Sequence, residues 1–232
     1  MIKTVLWDVD GTLLDFRAAE RAAIMRCFEL FGLGECTEEM VARYSAINAS
    51  YWLRMELGEI TKAQVLVGRF AEFFSSEGVE CADIEAFNRE YQLRLGDTVC
   101  YCDDSYALVS RLRGRVRQYA VTNGTVAAQA AKLTNSGLGE LFDGIFISDI
   151  VGVEKPGKGF FDHVLARIEP CEKNEIMIVG DSLTSDMRGG NNAGIVCCWY
   201  NPQGLPNDRG VRVDYDIRDL HEIEALLAGE GA

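Results

Sequence analysis

The sequence predicts an α/β fold: a doubly wound parallel sheet with a helical-bundle cap inserted after the first strand. Three observations predict it. A short apolar run, Val5-Leu6-Trp7, opens the chain and ends in Asp8-Val9-Asp10-Gly11-Thr12. Residues 16 to 95 then show helical periodicity with no strand, and from Asp103 onward β-favouring runs alternate with helical segments. The opening strand belongs with the later ones. Residues 1–15 and 96–232 are therefore expected to form one α/β core, and residues 16–95 the cap.

Taken in order, Asp15 reads as an N-cap. Phe16, Ala19, Ala23, Ile24, Cys27, Phe28 and Phe31 then recur at helical spacing until Gly32-Leu33-Gly34. Thr37 caps a second segment carrying Met40, Val41, Tyr44, Ile47, Tyr51, Trp52 and Met55, closed by Gly58. Thr61-x-x-Gln64 is a capping box opening a third, through Phe70, Phe73 and Phe74. Asp83 starts a fourth, through Phe87, Tyr91 and Leu95. A short helix then ends at Gly114, and Gln118 to Thr122 is a strand stopped by Asn123-Gly124. Alternation follows: helix from Val126 to Ser136, strand from Gly144 to Ser148, helix from Lys158 to Arg167, strand from Glu175 to Val179, helix from Ser185 to Ala193, strand from Ile195 to Trp199. Val213-Asp214-Tyr215 reads as an edge strand and Leu220 to Leu227 as a last helix. The arrangement is Rossmann-like, and in open parallel sheets ligands bind beyond the carboxyl ends of the strands. A cap rooted at the end of the first strand hangs over that site.

Composition narrows the function. Hydrophobic residues make up 48% and charged residues 25% of the 232 residues, as in an ordinary globular protein with a sizeable core. With 36 acidic against 23 basic residues the formal charge is −13, which disfavours an unspecific grip on a nucleic acid polymer or an anionic membrane. No signal segment opens the chain and no apolar run approaches the ~20 residues of a membrane span, so a cytoplasmic location is expected. The eight cysteines lack the Cys-x-x-Cys spacing of a zinc site and read as reduced thiols, several of them in the core. Walker and Gly-x-Gly-x-x-Gly patterns are absent, which disfavours a bound nucleoside triphosphate or dinucleotide.

Chemistry-bearing residues gather at predicted strand ends. Asp8 and Asp10 leave an extended backbone on the same side, and such crowded carboxylates usually persist because a cation or a reaction uses them. Thr122-Asn123-Gly124 joins a strand to a helix N-terminus, where free N–H groups and the two side chains suit a phosphate, although the same tripeptide is also a common turn. Lys155, before Pro156, is either a solvated surface lysine or the cation that an anionic substrate needs in so acidic a chain. Asp181 and Asp186 follow the strand ending at Val179 as helix caps or as oxygen ligands. Asp8, a backbone oxygen near Asp10, and Asp181 make a suitable set for Mg²⁺.

These four motifs, in this order across nearly the whole chain, resemble the haloacid dehalogenase superfamily. The resemblance implies Asp8 as nucleophile, Asp10 as general acid and base, Thr122, Asn123 and Lys155 as phosphate-binding residues, and Mg²⁺ at Asp8, Asp10, Asp181 and Asp186. It leaves Asp186 either a metal ligand or the partner that orients Lys155. Dehalogenase members lack the second aspartate, so Asp10 favours phosphatase or phosphomutase chemistry. Leu13-Leu14-Asp15-Phe16, Tyr44 to Asn48 with Trp52, Gly58 to Thr61, Arg69-Phe70, Gly189-Gly190-x-Asn192-Ala193-Gly194 and Cys198 to Asn201 resemble the branch described as noncanonical pyrimidine 5′-nucleotidases. Gly11 differs, since that branch often has an acidic residue there. The implied substrate is a small phosphorylated metabolite, a nucleoside monophosphate, with no membrane or nucleic acid partner.

A planar base can stack on an aromatic ring and hydrogen-bond to an amide, which makes Phe16, Asn48, Tyr51 and Trp52 specificity candidates; packing within the bundle is the alternative for each. Sugar-phosphate or phosphoglycolate phosphatases and phosphomutases share the catalytic set. A phosphoaccepting signalling receiver also uses aspartates, threonine and lysine at strand ends, but it lacks the inserted bundle and has no use for a general acid.

Overall fold

The computed structural model describes residues 1–229; residues 230–232, at the end of the expected core segment, lie outside the described residues. Six strands, β1 (Thr4–Trp7), β2 (Arg117–Thr122), β3 (Gly144–Ile147), β4 (Ile176–Gly180), β5 (Val196–Tyr200) and β6 (Tyr215–Ile217), form one sheet in the order β3-β2-β1-β4-β5-β6. Every pairing is parallel. β1 is central, paired with β2 on one side and β4 on the other, so the strand order reverses around it and a ligand crevice opens beyond its carboxyl end.

Four helices separate β1 from the rest of the sheet: α1 (Phe16–Phe31), α2 (Glu38–Glu56), α3 (Lys62–Glu77) and α4 (Ile84–Arg94). Their N-caps are Asp15, Thr37, Thr61 and Asp83, each accepting from a backbone N–H in the first turn, and Thr61 with Gln64 closes the capping box. The bundle has a core of its own in which Phe28, Tyr44, Phe70, Phe73, Phe74 and Phe87 pack edge-on and tilted, with Phe70 stacked on Tyr44 and Phe74. The chain enters and leaves the bundle side by side: Asp15 N donates to Cys100 O at 2.9 Å, and Cys102 N to Leu13 O at 3.0 Å.

The remaining helices are α5 (Ser105–Leu112), α6 (Val126–Asn135), α7 (Ser148–Val151), α8 (Lys158–Leu165), α9 (Arg188–Ala193) and α10 (Glu222–Ala228). Because strand side chains alternate, Val5, Trp7, Ala120, Met177 and Val179 meet α5, α6 and α10 on one face. Leu6, Tyr119, Val121, Ile176 and Ile178 meet α8 and α9 on the other. Both faces are covered, as the near-continuous apolar strands require.

Two local differences from the sequence reading have physical causes. The segment after β4 first winds as one wide turn, Leu183–Met187, with Ser182 capping it through Ser185 N, before α9 begins. The edge strand starts at Tyr215 rather than Val213, because Asp214 pins the preceding loop by accepting from Cys197 N through its side chain at 2.8 Å. All eight cysteines are free thiols, and Cys27, Cys36, Cys197 and Cys198 are buried. Among the described residues no helix is long and apolar enough to cross a membrane.

Candidate active site

The carboxyl ends of β1, β2 and β4 and the undersides of α1 and α2 enclose a cavity of about 660 Å³. Strand register builds its floor. Trp7 lies opposite Ala120 on one side and Val179 on the other, so Asp8 emerges beside the ends of β2 and β4. Asp8 N donates to Val179 O at 2.9 Å, and Trp199 Nε1 donates to Asp181 O at 2.8 Å, so each aspartate is fixed through its backbone.

Lys155 is the buried cation of the floor. Its Nζ donates to Asp8 Oδ1 at 2.7 Å, Asp186 Oδ1 at 2.7 Å and Val121 O at 2.8 Å. An ammonium has three donors, and all three are engaged. Burial works against its charge, but Asp186 and Asp8 outweigh burial and hold its pKa above the ordinary lysine value. The other oxygen of Asp8 accepts from Thr12 Oγ1 at 3.1 Å. Burial pushes the Asp8 carboxyl up to about 7, against the pull of Lys155. Asp181 opens onto the cavity while protein surrounds it; that enclosure, then the charges of Asp8, Asp186 and Glu56, hold it well above the usual carboxylate range.

Asp8, Asp181 and Asp186 each bring a carboxylate oxygen within 4.8 Å of the others. Such a set of hard oxygens, crowded and short of positive charge, fits a divalent cation of the Mg²⁺ type. Gly11 lets the set close: its φ is +87°, and a Cβ there would stand 2.6 Å from Asp181 Oδ2.

Thr122 Oγ1 accepts from Gly124 N at 3.1 Å and, among the described residues, donates to no protein atom. Its hydroxyl hydrogen is left to the cavity. Asn123 behaves differently from the sequence reading. Its amide bonds the backbone of Lys155, donating to Lys155 O at 2.8 Å and accepting from Lys155 N at 2.8 Å, and donates to Ser185 Oγ at 3.4 Å, so from the cavity lining it holds the lysine loop.

The roof separates the four specificity candidates. Phe16, Asn48 and Trp52 line the cavity. Tyr51 does not: helical spacing turns it toward α3, where it packs over Gly68 under the Arg54 guanidinium and lines a different, shallow groove. Asn48 is held on both sides, donating to Glu20 Oε1 at 2.7 Å and accepting from Arg69 Nη1 at 2.8 Å. It therefore bridges two buried charges, and Glu20, which also accepts from Ser45, stands beside it at the cavity.

The model of the haloacid dehalogenase-like hydrolases matches residues 2–194 of this chain. The chain belongs to the haloacid dehalogenase-like hydrolase family. Over 97% of its length and 95% of the other protein's, it is 37% identical to the HAD-hydrolase YfnB of Bacillus subtilis. The crystal structure of YfnB bound to magnesium, described as revealing interdomain movement, superposes with a TM-score of 0.91 at 36% identity, covering 97% of this chain and 98% of that one. The chain is also similar to two pyrimidine 5′-nucleotidases. PynA of Streptococcus pneumoniae is 33% identical over 95% of this chain and 93% of that one, and YjjG of Escherichia coli is 30% identical over 96% of each.

Within this site, several residues give little or no signal in the sequence. Glu56, at the end of α2, accepts from Ser182 Oγ at 3.2 Å and from Thr184 Oγ1. Lys62, opening α3, donates to Gly124 O at 3.1 Å and Ser148 Oγ at 3.0 Å and pairs with Asp149. These two residues flank the α2–α3 turn and grip opposite lips of the cavity. The signal for Glu56 lay in helical spacing, four residues beyond Trp52 and eight beyond Asn48. Lys62 offered none. Gln129 and Lys132, three residues apart on α6, both reach Asp10.

Proposed function

We propose that the chain is a Mg²⁺-dependent phosphomonoester hydrolase working through an aspartyl-phosphate on Asp8, and that its substrate is a nucleoside 5′-monophosphate, preferentially a pyrimidine one. The observation that carries the reading is the meeting of Asp8, Asp10, Thr122, Lys155, Asp181 and Asp186 at one cavity floor under a roof with room for a nucleoside. The pyrimidine 5′-nucleotidases PynA and YjjG support the choice of substrate, and the magnesium in YfnB supports the choice of ion.

In this reading Asp8 attacks phosphorus, forming a carboxylate oxygen–phosphorus bond as the bond to the ester oxygen breaks. Asp10 gives its proton to the departing alkoxide. Then, ionised, it takes a proton from the water that attacks phosphorus, releasing inorganic phosphate and restoring Asp8. Lys155 keeps Asp8 oriented and offsets negative charge, and the Thr122 hydroxyl holds a phosphoryl oxygen. Asp8, Asp181 and Asp186, with a backbone oxygen near Asp10, would hold Mg²⁺, which when bound supplies positive charge against the repulsion between carboxylate and phosphate. Asn123 serves by fixing Lys155.

The test is turnover of uridine, cytidine and thymidine 5′-monophosphates beside purine nucleotides, sugar phosphates and phosphoglycolate, with and without Mg²⁺. Multiple turnover that needs Mg²⁺, favours the pyrimidine esters and vanishes in Asp8→Asn is expected. Poor hydrolysis of every pyrimidine ester overturns the substrate assignment. A single stoichiometric phosphorylation without release overturns the hydrolase in favour of a receiver.

A further inference from the structure

Asp10 is gripped from α6 at both carboxylate oxygens. Gln129 Nε2 donates to Oδ2 at 2.6 Å, and Lys132 Nζ forms an ion pair with Oδ1. Gln129 and Lys132 are buried, at 0% and 2% exposure, and sit three residues apart, so they share one face of α6. Among the described residues Lys132 reaches no other carboxylate. The ring of Phe16 lies 4.9 Å from its Nζ and closes it off. The approach of Gln129 depends on Gly124, where a Cβ would stand 2.2 Å from Nε2.

A lysine buried against an aromatic ring and apolar helices is costly, and an apolar side chain would pack there as well. What Lys132 and Gln129 achieve is the placement of one carboxylate. The backbone of Asp10 is already set by the turn in which Gly11 N donates to Leu14 O at 2.8 Å, so fixing both oxygens leaves the group one orientation. It is also kept out of the Asp8, Asp181 and Asp186 cluster and remains at the cavity wall.

We infer that Lys132 and Gln129 are positioning residues for Asp10, holding its carboxyl where the proton reaches the leaving oxygen of the ester; this rests on the proposed role of Asp10. In the affected step the Asp8–phosphorus bond forms, the phosphorus–ester oxygen bond breaks, and the proton carried on an Asp10 oxygen lone pair not engaged by Gln129 or Lys132 goes to that oxygen, leaving the ionised carboxylate paired with Lys132. An alkoxide needs the proton, whereas p-nitrophenolate departs without it.

The test compares kcat/KM for uridine 5′-monophosphate and p-nitrophenyl phosphate, since kcat/KM covers steps only through departure of the leaving group. For Lys132→Met a loss of about 100-fold is expected on the nucleotide and less than about 10-fold on the nitrophenyl ester, with Lys132→Arg recovering most of it. Gln129→Met, which keeps the ion pair and guards against a folding failure in the lysine variant, is expected to show the same selectivity at smaller size. Equal losses on both esters, or none, overturn the inference. Asp10→Asn separates it from the reading it rests on. If Asp10→Asn is selective and the α6 variants are not, only the positioning role fails; if Asp10→Asn itself shows no selectivity, the general-acid assignment fails.

Discussion

Lys155 Nζ lies 2.7 Å from Asp8 Oδ1, in a contact where the ammonium is 1% exposed. With Asp186 and Val121 O taking its other donors, the lysine ties the ends of β1 and β2 to the wide turn that follows β4. Removing one partner from a buried ion pair strands the others, at a typical cost of ~3–5 kcal/mol. Lys155→Met is therefore expected to lower the denaturant midpoint markedly and to reduce hydrolysis by at least about 100-fold. A variant of wild-type stability and activity contradicts this.

Glu56 links pH to stability. Burial, with the Asp186 charge adding to it and the Thr184 hydrogen bond opposing it, pushes its carboxyl up to about 7. An unfolded glutamate titrates near ~4.3, so the fold favours the protonated acid. Its stabilising contribution is full below that unfolded value and is lost as pH rises through the folded one. The melting temperature of metal-free protein is expected to fall between about pH 5 and about pH 8, and Glu56→Gln to flatten part of that fall. An identical slope in the variant rules this out.

Lys62 and Glu56 tie the bundle to the rim of the cavity. Lys62→Met removes the bonds to Gly124 O and Ser148 Oγ and the ion pair with Asp149 without replacing a residue of the floor itself. KM for the preferred nucleotide is expected to rise by about 10-fold, equivalent to ~1.4 kcal/mol, with a smaller effect on kcat. A fall confined to kcat in steady-state assays speaks against the latch.

Asn48 is expected to act on stability before selectivity. Asn48→Leu leaves Glu20 Oε1 and an Arg69 N–H buried without their partner, costing on the order of 2–3 kcal/mol in denaturant titration. Unchanged stability with an altered ratio of pyrimidine to purine turnover would instead make Asn48 a direct reader of the base.

The sheet, its parallel order and the inserted helices were legible in the sequence because apolar runs, caps and glycine stops agree locally: Thr61 with Gln64, Asp15, and Thr122 before Asn123-Gly124 each mark a boundary by their own chemistry. The edge strand slipped because the Asp214 side chain, bonded to Cys197 N, decides where pairing starts. Asn123 lines the cavity with its side chain already bonded, and Tyr51 lies outside it. The first is claimed by a backbone 32 residues away, and the second sits on the helix face turned to α3. The grip of Lys132 on Asp10 spans 122 residues, a contact that only the folded sheet brings about.

In the proposed mechanism Asp8 carries the phosphoryl group. Borohydride reduction of enzyme mixed with Mg²⁺ and uridine 5′-monophosphate, followed by peptide mass spectrometry, tests it most directly. Substrate-dependent conversion of Asp8, and of no other aspartate, to homoserine, the reduction product of an acyl phosphate, is expected. Continued turnover with Asp8 unmodified, or conversion at another aspartate, would contradict it.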